Sequence, residues 1–181
     1  GTAIGVGGGT TSEGTNNNDS EITIRRCTFI KCSVAAIKIH GYNALNYWIW
    51  HCRFLECHTG IDCTSGNYHV YNSYFKGSTF TDIQNSNGYY SSVRTCYSSG
   101  ANVVSWDLGR SCNPFKRVFQ GNTIRQPFGY AIGYHHLGSV TMMDNRIDKS
   151  TGKEYVQHVN MGSWCPGDYT TLSIGNTYGS P

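Results

Sequence analysis

Short apolar segments recur along this chain about every two dozen residues. They run from ITIRRCTFIKC, which begins at Ile22, to a last partial copy, TTLSIGNTYG, which begins at Thr170. One shared position is occupied in turn by Cys27, Cys52, Ser73, Cys96, Asn122, Asn145 and Asn176. The successive spacings are 25, 21, 23, 26, 23 and 31 residues. A repeat of this length predicts a solenoid, in which each coil packs on its neighbours.

A second segment follows each of these at a similar distance, and each copy ends at a glycine. The copies are AIKIHG (36–41), IDCTSG (61–66), TDIQNSNG (81–88), VSWDLG (104–109), AIGYHHLG (131–138) and VQHVNMG (156–162). Short apolar segments that end at Gly are typical of strands that lead into turns. The regular Leu framework of leucine-rich repeats and the 3.6-residue pattern of helical repeats are both missing.

Strands of successive coils would lie one above another, so equivalent residues should stack in columns. We expect Phe29, Phe54 and Phe75 to form an inward aromatic stack, continued by Ile124 and Ile147. The predicted fold is all-β, a right-handed parallel β-helix of about seven coils that forms one domain over 1–181. Both ends read like mid-coil sequence, so we also expect a piece of a longer coil, or a chain whose caps are supplied elsewhere.

The alternation of I-x-I, a corner Asn or Cys, an aromatic residue and G-I-x-I resembles the pectate-lyase-like superfamily of right-handed β-helices. The resemblance covers nearly the whole chain. It implies an extended polysaccharide as the partner and an extracellular or periplasmic location. The superfamily includes lyases, hydrolases, epimerases, tailspikes and adhesins, so the resemblance specifies a fold better than an activity.

Two C-x4-C pairs, Cys27 with Cys32 and Cys52 with Cys57, are separated by one coil period. One interpretation is a tetrathiolate zinc site. In register, however, Cys27 stacks on Cys52 and Cys32 stacks on Cys57, at opposite ends of a short strand. We therefore expect buried corner thiols and no metal site, with disulfides between stacked cysteines as an alternative.

Strand alternation predicts two outward columns of polar residues on the AIKIHG-type segments. Lys38, Asp62 and Asp82 share the first column, and His40, Thr64, Gln84, Asp107 and His135 belong to the second. We predict Asp62, Asp82, Asp107, Lys38, His40 and His135 as catalytic residues. Two carboxylates on adjacent strands would disfavour joint ionisation or bind Ca²⁺ between Asp62 and Asp82.

The loops that follow these strands are the long ones, and they carry side chains suited to sugars. Tyr42, Trp164 and Tyr169 can stack on sugar rings, and Arg110 can bind a carboxylate. With Gln84, they are the predicted substrate-binding residues. On another face, Arg25, Trp50, Tyr71 and Arg94 form an outward aromatic and basic column, which suits either a carbohydrate or a packing partner.

Two function classes remain open on these residues. The first is a polysaccharide-active enzyme: a hydrolase would pair Asp62, Asp82 or Asp107 as acid and base, whereas a lyase would use Lys38, His40 or His135 to abstract a proton. The motifs Asn-Thr-Asp, Asp-Asp and Gly-His-Gly are missing, so the chain does not resemble polygalacturonases at their active site. The second class is a non-catalytic stalk, tailspike-like or adhesive module that self-associates through coil ends or side packing.

Charge and hydropathy limit the classes of partner that this chain is expected to have. The formal net charge is +3 and no Lys/Arg-rich run occurs, which argues against a nucleic-acid partner. No stretch approaches the roughly 18 consecutive apolar residues of a membrane span. We therefore expect neither a nucleic-acid nor a membrane-spanning role.

Overall fold

The computed structural model describes residues 1–6, 21–40, 44–85, 88–107, 117–135, 140–150, 156–159 and 171–179. Within these ranges every regular element is a short β-strand, and the strands form three seven-stranded parallel sheets. No helix in the described ranges has the length and apolar character needed to cross a membrane.

Each sheet collects one strand from every repeat. The first sheet contains Ile4–Val6, Ile37–Ile39, Thr59–Cys63, Thr81–Asn85, Val104–Asp107, Tyr130–His135 and Val156–Val159. The second sheet contains Thr23–Arg25, Tyr47–Trp50, Gly66–Tyr71, Gly88–Arg94, Arg117–Gln120, Val140–Met143 and Thr171–Ile174. The third sheet contains Thr28–Ile30, Arg53–Leu55, Tyr74–Lys76, Tyr97–Ser99, Thr123–Arg125, Arg146–Asp148 and Thr177–Gly179.

The strand order gives the path of the chain. A strand of the second sheet is followed by one of the third and then one of the first, and each pairs in parallel with its equivalents in the coils before and after. The predicted all-β parallel helix is confirmed. Its right hand stays a prediction, supported by the strong preference of parallel strand crossovers for that hand.

A sharp corner separates the second sheet from the third in every coil. The residue after each second-sheet strand has a positive φ, as at Arg26 (56°) and Thr95 (53°). The next residue turns inward and bonds to the adjacent coil: the N–H of Cys96 donates to Asn122 Oδ1 (2.9 Å), and that of Asn122 donates to Asn145 Oδ1 (2.9 Å). The predicted shared position is therefore confirmed, and its side chains satisfy backbone groups that the corner removes from the sheets. We call its residues the corner column: Cys27, Cys52, Ser73, Cys96, Asn122, Asn145 and Asn176.

The interior is filled by columns of apolar side chains. The rings of Phe29 and Phe54 stack with centroids 5.2 Å apart, and those of Phe54 and Phe75 with centroids 4.6 Å apart. The same column continues through Ser98 to Ile124 and Ile147. The predicted aromatic stack is confirmed, with a serine between its aromatic and aliphatic parts.

Candidate functional site

Lys38 and Asp62 form an ion pair on the outer surface of the first sheet. They lie directly opposite each other on adjacent strands, as predicted, with Lys38 Nζ 3.9 Å from Asp62 Oδ2. The Asp62 side chain is only 17% exposed, against 41% for Lys38. Burial raises the pKa of Asp62, and the charges of Lys38 and His40 oppose that rise. Asp62 is therefore a partly desolvated carboxyl group beside a cation.

His40 lies at the end of the Lys38 strand and bonds to the next coil. Its Nδ1 is 2.7 Å from Thr64 Oγ1, and the Thr64 hydroxyl donates to the Ile39 carbonyl at 3.3 Å. Because that hydroxyl has a single proton, Nδ1 of His40 is the donor in the first bond. The other ring nitrogen, Nε2, is then left as an acceptor when the ring is neutral. The predicted neighbours His40 and Thr64 are confirmed.

Gln84 and Asp107 extend the line of Lys38 and Asp62 along the coil axis, so their predicted place in the column of His40 is wrong. Gln84 pairs with Asp62, and the register of the next strand, in which Ile83 pairs with Trp106, places Asp107 opposite Gln84. We call Lys38, Asp62, Gln84 and Asp107 the polar ladder. The side chain of Asp107 lies outside the described residues, so its place in the ladder is that of its backbone.

Asp82 does not lie beside Asp62, and its predicted place on the outer surface is wrong. Its side chain is fully buried. Ser78 Oγ donates to its Oδ1 at 2.5 Å, and Ser98 Oγ donates to its Oδ2. Burial raises the pKa of Asp82 to about 7, although both hydroxyls lower it. Asp82 therefore belongs to the interior of the coil.

The register explains why strand alternation fails at this residue. Thr81 pairs with Thr59 and Ile83 with Ile61, so Asp82 is equivalent to Gly60. A Cβ added to Gly60 would lie 2.5 Å from the Asp82 carbonyl oxygen and 3.0 Å from the Phe75 ring. The position, second in its strand, thus faces the aromatic column. Ser98, which replaces a ring in that column, leaves room for the Asp82 carboxyl group.

The displaced Asp82 also removes the calcium site predicted between it and Asp62, because the two carboxyl groups lie on opposite sides of the sheet. Among the described residues, no group of three or more His, Cys, Asp or Glu side chains is arranged to hold a metal ion. The thiol of Cys27 interacts with that of Cys52, and the thiol of Cys32 with that of Cys57, which confirms the stacked pairs.

The remaining predicted site residues divide into two groups. His135 ends a first-sheet strand, and the register places its backbone in the column of His40, but its side chain lies outside the described residues. The predicted substrate-binding residues Tyr42, Arg110, Trp164 and Tyr169 also lie outside the described residues. Their roles stay predictions.

Comparison with known proteins returned nothing significant: no family model, curated protein or solved structure matches the chain.

Proposed function

We propose that this chain is a carbohydrate-active β-helix protein of the pectate-lyase-like type that binds an extended polysaccharide along the polar ladder. The observation that carries the proposal is the register of Lys38, Asp62 and Gln84 on three consecutive strands. Their spacing of roughly 4.8 Å per strand suits a ligand that itself repeats along the coil axis. A compact metabolite would contact only one or two residues of the polar ladder.

The chemistry at Lys38, His40 and Asp62 favours elimination over hydrolysis. Elimination at a uronate needs a base and a cation that neutralises the sugar carboxylate. Lys38 supplies the cation, and either His40 Nε2 or Asp62 supplies the base. Hydrolysis needs two carboxyl groups across one glycosidic bond, and the described neighbours of Asp62 in the ladder are Lys38 and Gln84.

A hydrolase would have to pair Asp62 with Asp107. Their backbones are two strand spacings apart, roughly 10 Å, which is near the upper end of the carboxylate separations used by inverting glycosidases. The pairing of Asp62 with Asp82 is not proposed, because Asp82 is buried.

A non-catalytic glycan-binding module is the second candidate. The observation that favours it is the burial of Asp82, which removes one of the three carboxylates predicted as catalytic from the outer surface. Such a module would bind the same polymers without cleaving them. Either function is consistent with an extracellular or periplasmic protein, which is part of this proposal.

The test is a panel of uronate and neutral polysaccharides, in which binding, new reducing ends and the absorbance of unsaturated products are followed in parallel. We expect Lys38→Ala and Gln84→Ala to weaken binding, and Asp62→Asn to abolish turnover if Asp62, rather than His40, is the base. Lys76→Ala, which removes an exposed lysine from the third sheet, is the matched control. Turnover that survives in Asp62→Asn would exclude Asp62 as a catalytic residue, and binding unchanged by all three variants would exclude the ladder.

A further inference from the structure

Four aromatic rings cluster on the outer surface of the second sheet, away from the polar ladder. Trp48 stacks on His69 with centroids 4.4 Å apart, and Trp50 contacts Tyr71 at 5.3 Å. The polar atoms of two rings are held by one serine: His69 Nδ1 is 2.9 Å and the Tyr71 hydroxyl 3.3 Å from Ser92 Oγ. The cluster is therefore ordered before any ligand arrives, which lowers the entropy cost of binding.

Arginines lie at both ends of this cluster. Arg25, Trp50, Tyr71 and Arg94 are in register on four consecutive strands, so the two arginine backbones are three strand spacings apart, roughly 14 Å. We call these four residues the aromatic–arginine column. Neither arginine forms an ion pair with a described residue, and the buried Nε of Arg94 has no hydrogen-bond partner.

The charge of the aromatic–arginine column has one sign. The outward positions of the second-sheet strands carry no carboxylate within the described ranges, and the exposed carboxylates nearest to this sheet, Glu21 and Asp144, lie outside its strands. The guanidinium of Arg94 lowers the pKa of His69, after the larger effect of burial, which favours a neutral imidazole in the cluster. An anionic ligand would therefore meet cations at both ends and no repulsion between them.

The ring orientations favour a sugar. Trp48 is within 27° of parallel to His69 and within 13° of parallel to Tyr71, so these stacked rings present their edges, which carry partial positive charge, to solvent. Trp50 is tilted by 57° from Tyr71 and by 61° from Trp48, so neither ring stacks parallel on its indole, and the residue is 40% exposed. The C–H face of a pyranose can pack on that indole while an acidic group lies beside the ring edges.

We propose that the aromatic–arginine column binds an anionic polysaccharide that lies along the coil axis. One sugar ring packs on Trp50, and two acidic groups of the polymer contact Arg25 and Arg94. The inference goes beyond the proposed function, because it concerns another sheet and requires no catalysis. A peptide fits less well: the sheet's backbone groups are bonded between its own strands, so an extended peptide laid across its face would find no partners for its amides.

The test uses the whole chain with matched polymer pairs: polygalacturonate against its methyl ester, and dextran sulfate against dextran. Titration calorimetry at low and high salt gives the affinities. We expect at least one anionic polymer to bind and its neutral counterpart to bind at least about tenfold more weakly. Binding should also weaken with salt. The pair that shows the contrast distinguishes a carboxylated from a sulfated ligand, and failure of both anionic polymers would overturn the proposal.

Variants then locate the site. Arg25→Ala with Arg94→Ala should weaken binding by about tenfold or more, and lysine at both positions should restore part of it, because lysine keeps the charge but not the planar fork. Trp50→Ala should weaken binding as well. Arg53→Ala, an exposed arginine on the third sheet, is the matched control. Unchanged affinity in the double arginine variant would exclude the column.

Two further measurements distinguish binding of the polymer at the column from binding at the polar ladder and from binding of acidic chains of any kind. Lys38 belongs to the polar ladder, so the double arginine variant should cause the same loss of affinity in a Lys38→Ala background as in the wild-type chain. If Lys38→Ala removes the binding and the double arginine variant does not, the ligand binds at the ladder instead. Poly-glutamate provides the peptide comparison. If it binds the column as tightly as the anionic polysaccharides do, the surface recognises acidic chains in general and the sugar assignment is wrong.

Discussion

Ser98 donates a hydrogen bond to the Asp82 carboxylate inside the coil, at the level where the third-sheet column lacks an aromatic ring. The carboxyl group fills the space that a side chain like Phe75 would otherwise occupy. Ser78 completes the arrangement from the other side. The chain thus holds an ionisable group in its hydrophobic interior, where the hydroxyls of Ser78 and Ser98 donate hydrogen bonds to it. The protonation of this group should govern how the stability of the protein depends on pH.

Asp82→Asn should remove a decrease in stability that the wild-type protein shows as pH rises. Burial raises the folded-state pKa of Asp82 to about 7 from 3.8, so the folded state keeps a proton that the unfolded state releases between these values. Unfolding is then favoured by rising pH, by up to about 1.4 kcal/mol per pH unit for this one group. Above the folded pKa the effect is constant.

Urea unfolding of both proteins at several pH values checks this prediction. The two free energies of unfolding should be similar at about pH 4 and differ by several kcal/mol in favour of the variant at about pH 8. Asp144→Asn, at an exposed corner, serves as the control. A difference that stays constant across the range would show that Asp82 is not a buried titrating group.

Ser98→Ala should destabilise the protein more at high pH than at low pH. The Ser98 hydroxyl donates to a carboxylate that is charged above about pH 7, and hydrogen bonds to charged groups are roughly twice as strong as neutral ones. We expect a loss of about 1–3 kcal/mol at alkaline pH and less near pH 4. Ser99→Ala, which changes the neighbouring outward residue, is the matched control. Equal losses at both pH values would mean that the carboxylate does not depend on this donor.

The misplacement of Asp82 shows how far strand alternation can be trusted. Alternation and repeat spacing predicted the adjacent pairs Lys38 with Asp62 and Gln84 with Asp107, because both pairs lie in regular strands. Placing Gln84 relative to Asp62 required the register between the segments 61–66 and 81–88. The predicted register between these two segments was wrong by two residues. A slip of two keeps each side chain on its face, so only the neighbours were wrong for Gln84.

Asp82 was wrong in its face as well, because Thr81, Asp82 and Ile83 are all buried, so alternation does not hold at the start of this strand. Its equivalents in neighbouring coils are Gly60 and Ala36, both small, and both precede an inward isoleucine. The small residues at this position and the serine in the aromatic column are the sequence features that could have predicted the burial of Asp82. An isolated sequence does not show that these two exceptions compensate each other, since they lie in different sheets.

Asn122→Ala should cost more stability than Asn122→Ser. The Asn122 amide donates to the Val93 carbonyl (2.8 Å) and to Asn145 Oδ1 (3.0 Å), and its oxygen accepts from the Cys96 N–H (2.9 Å). Alanine removes all three bonds, for a loss of about 3 kcal/mol. Serine should recover about half of it, because Ser73 in the same column accepts from Cys52 N–H at 3.1 Å and donates to a carbonyl at 2.9 Å. Equal losses in urea unfolding would contradict a hydrogen-bonding role.

Among the six described cysteines, thiol reagents should modify Cys27 and Cys32 first in the folded protein. These two are partly exposed, whereas Cys52, Cys57, Cys63 and Cys96 are buried. Burial raises the pKa of Cys52 and Cys57, and that of Cys96 to about 12, which leaves little of the reactive thiolate. Iodoacetamide labelling followed by peptide mapping gives the order, and labelling in urea is the control in which all six react. Early modification of Cys52 would mean that the corner column opens in solution, and the inward stacking of its side chains would then need revision.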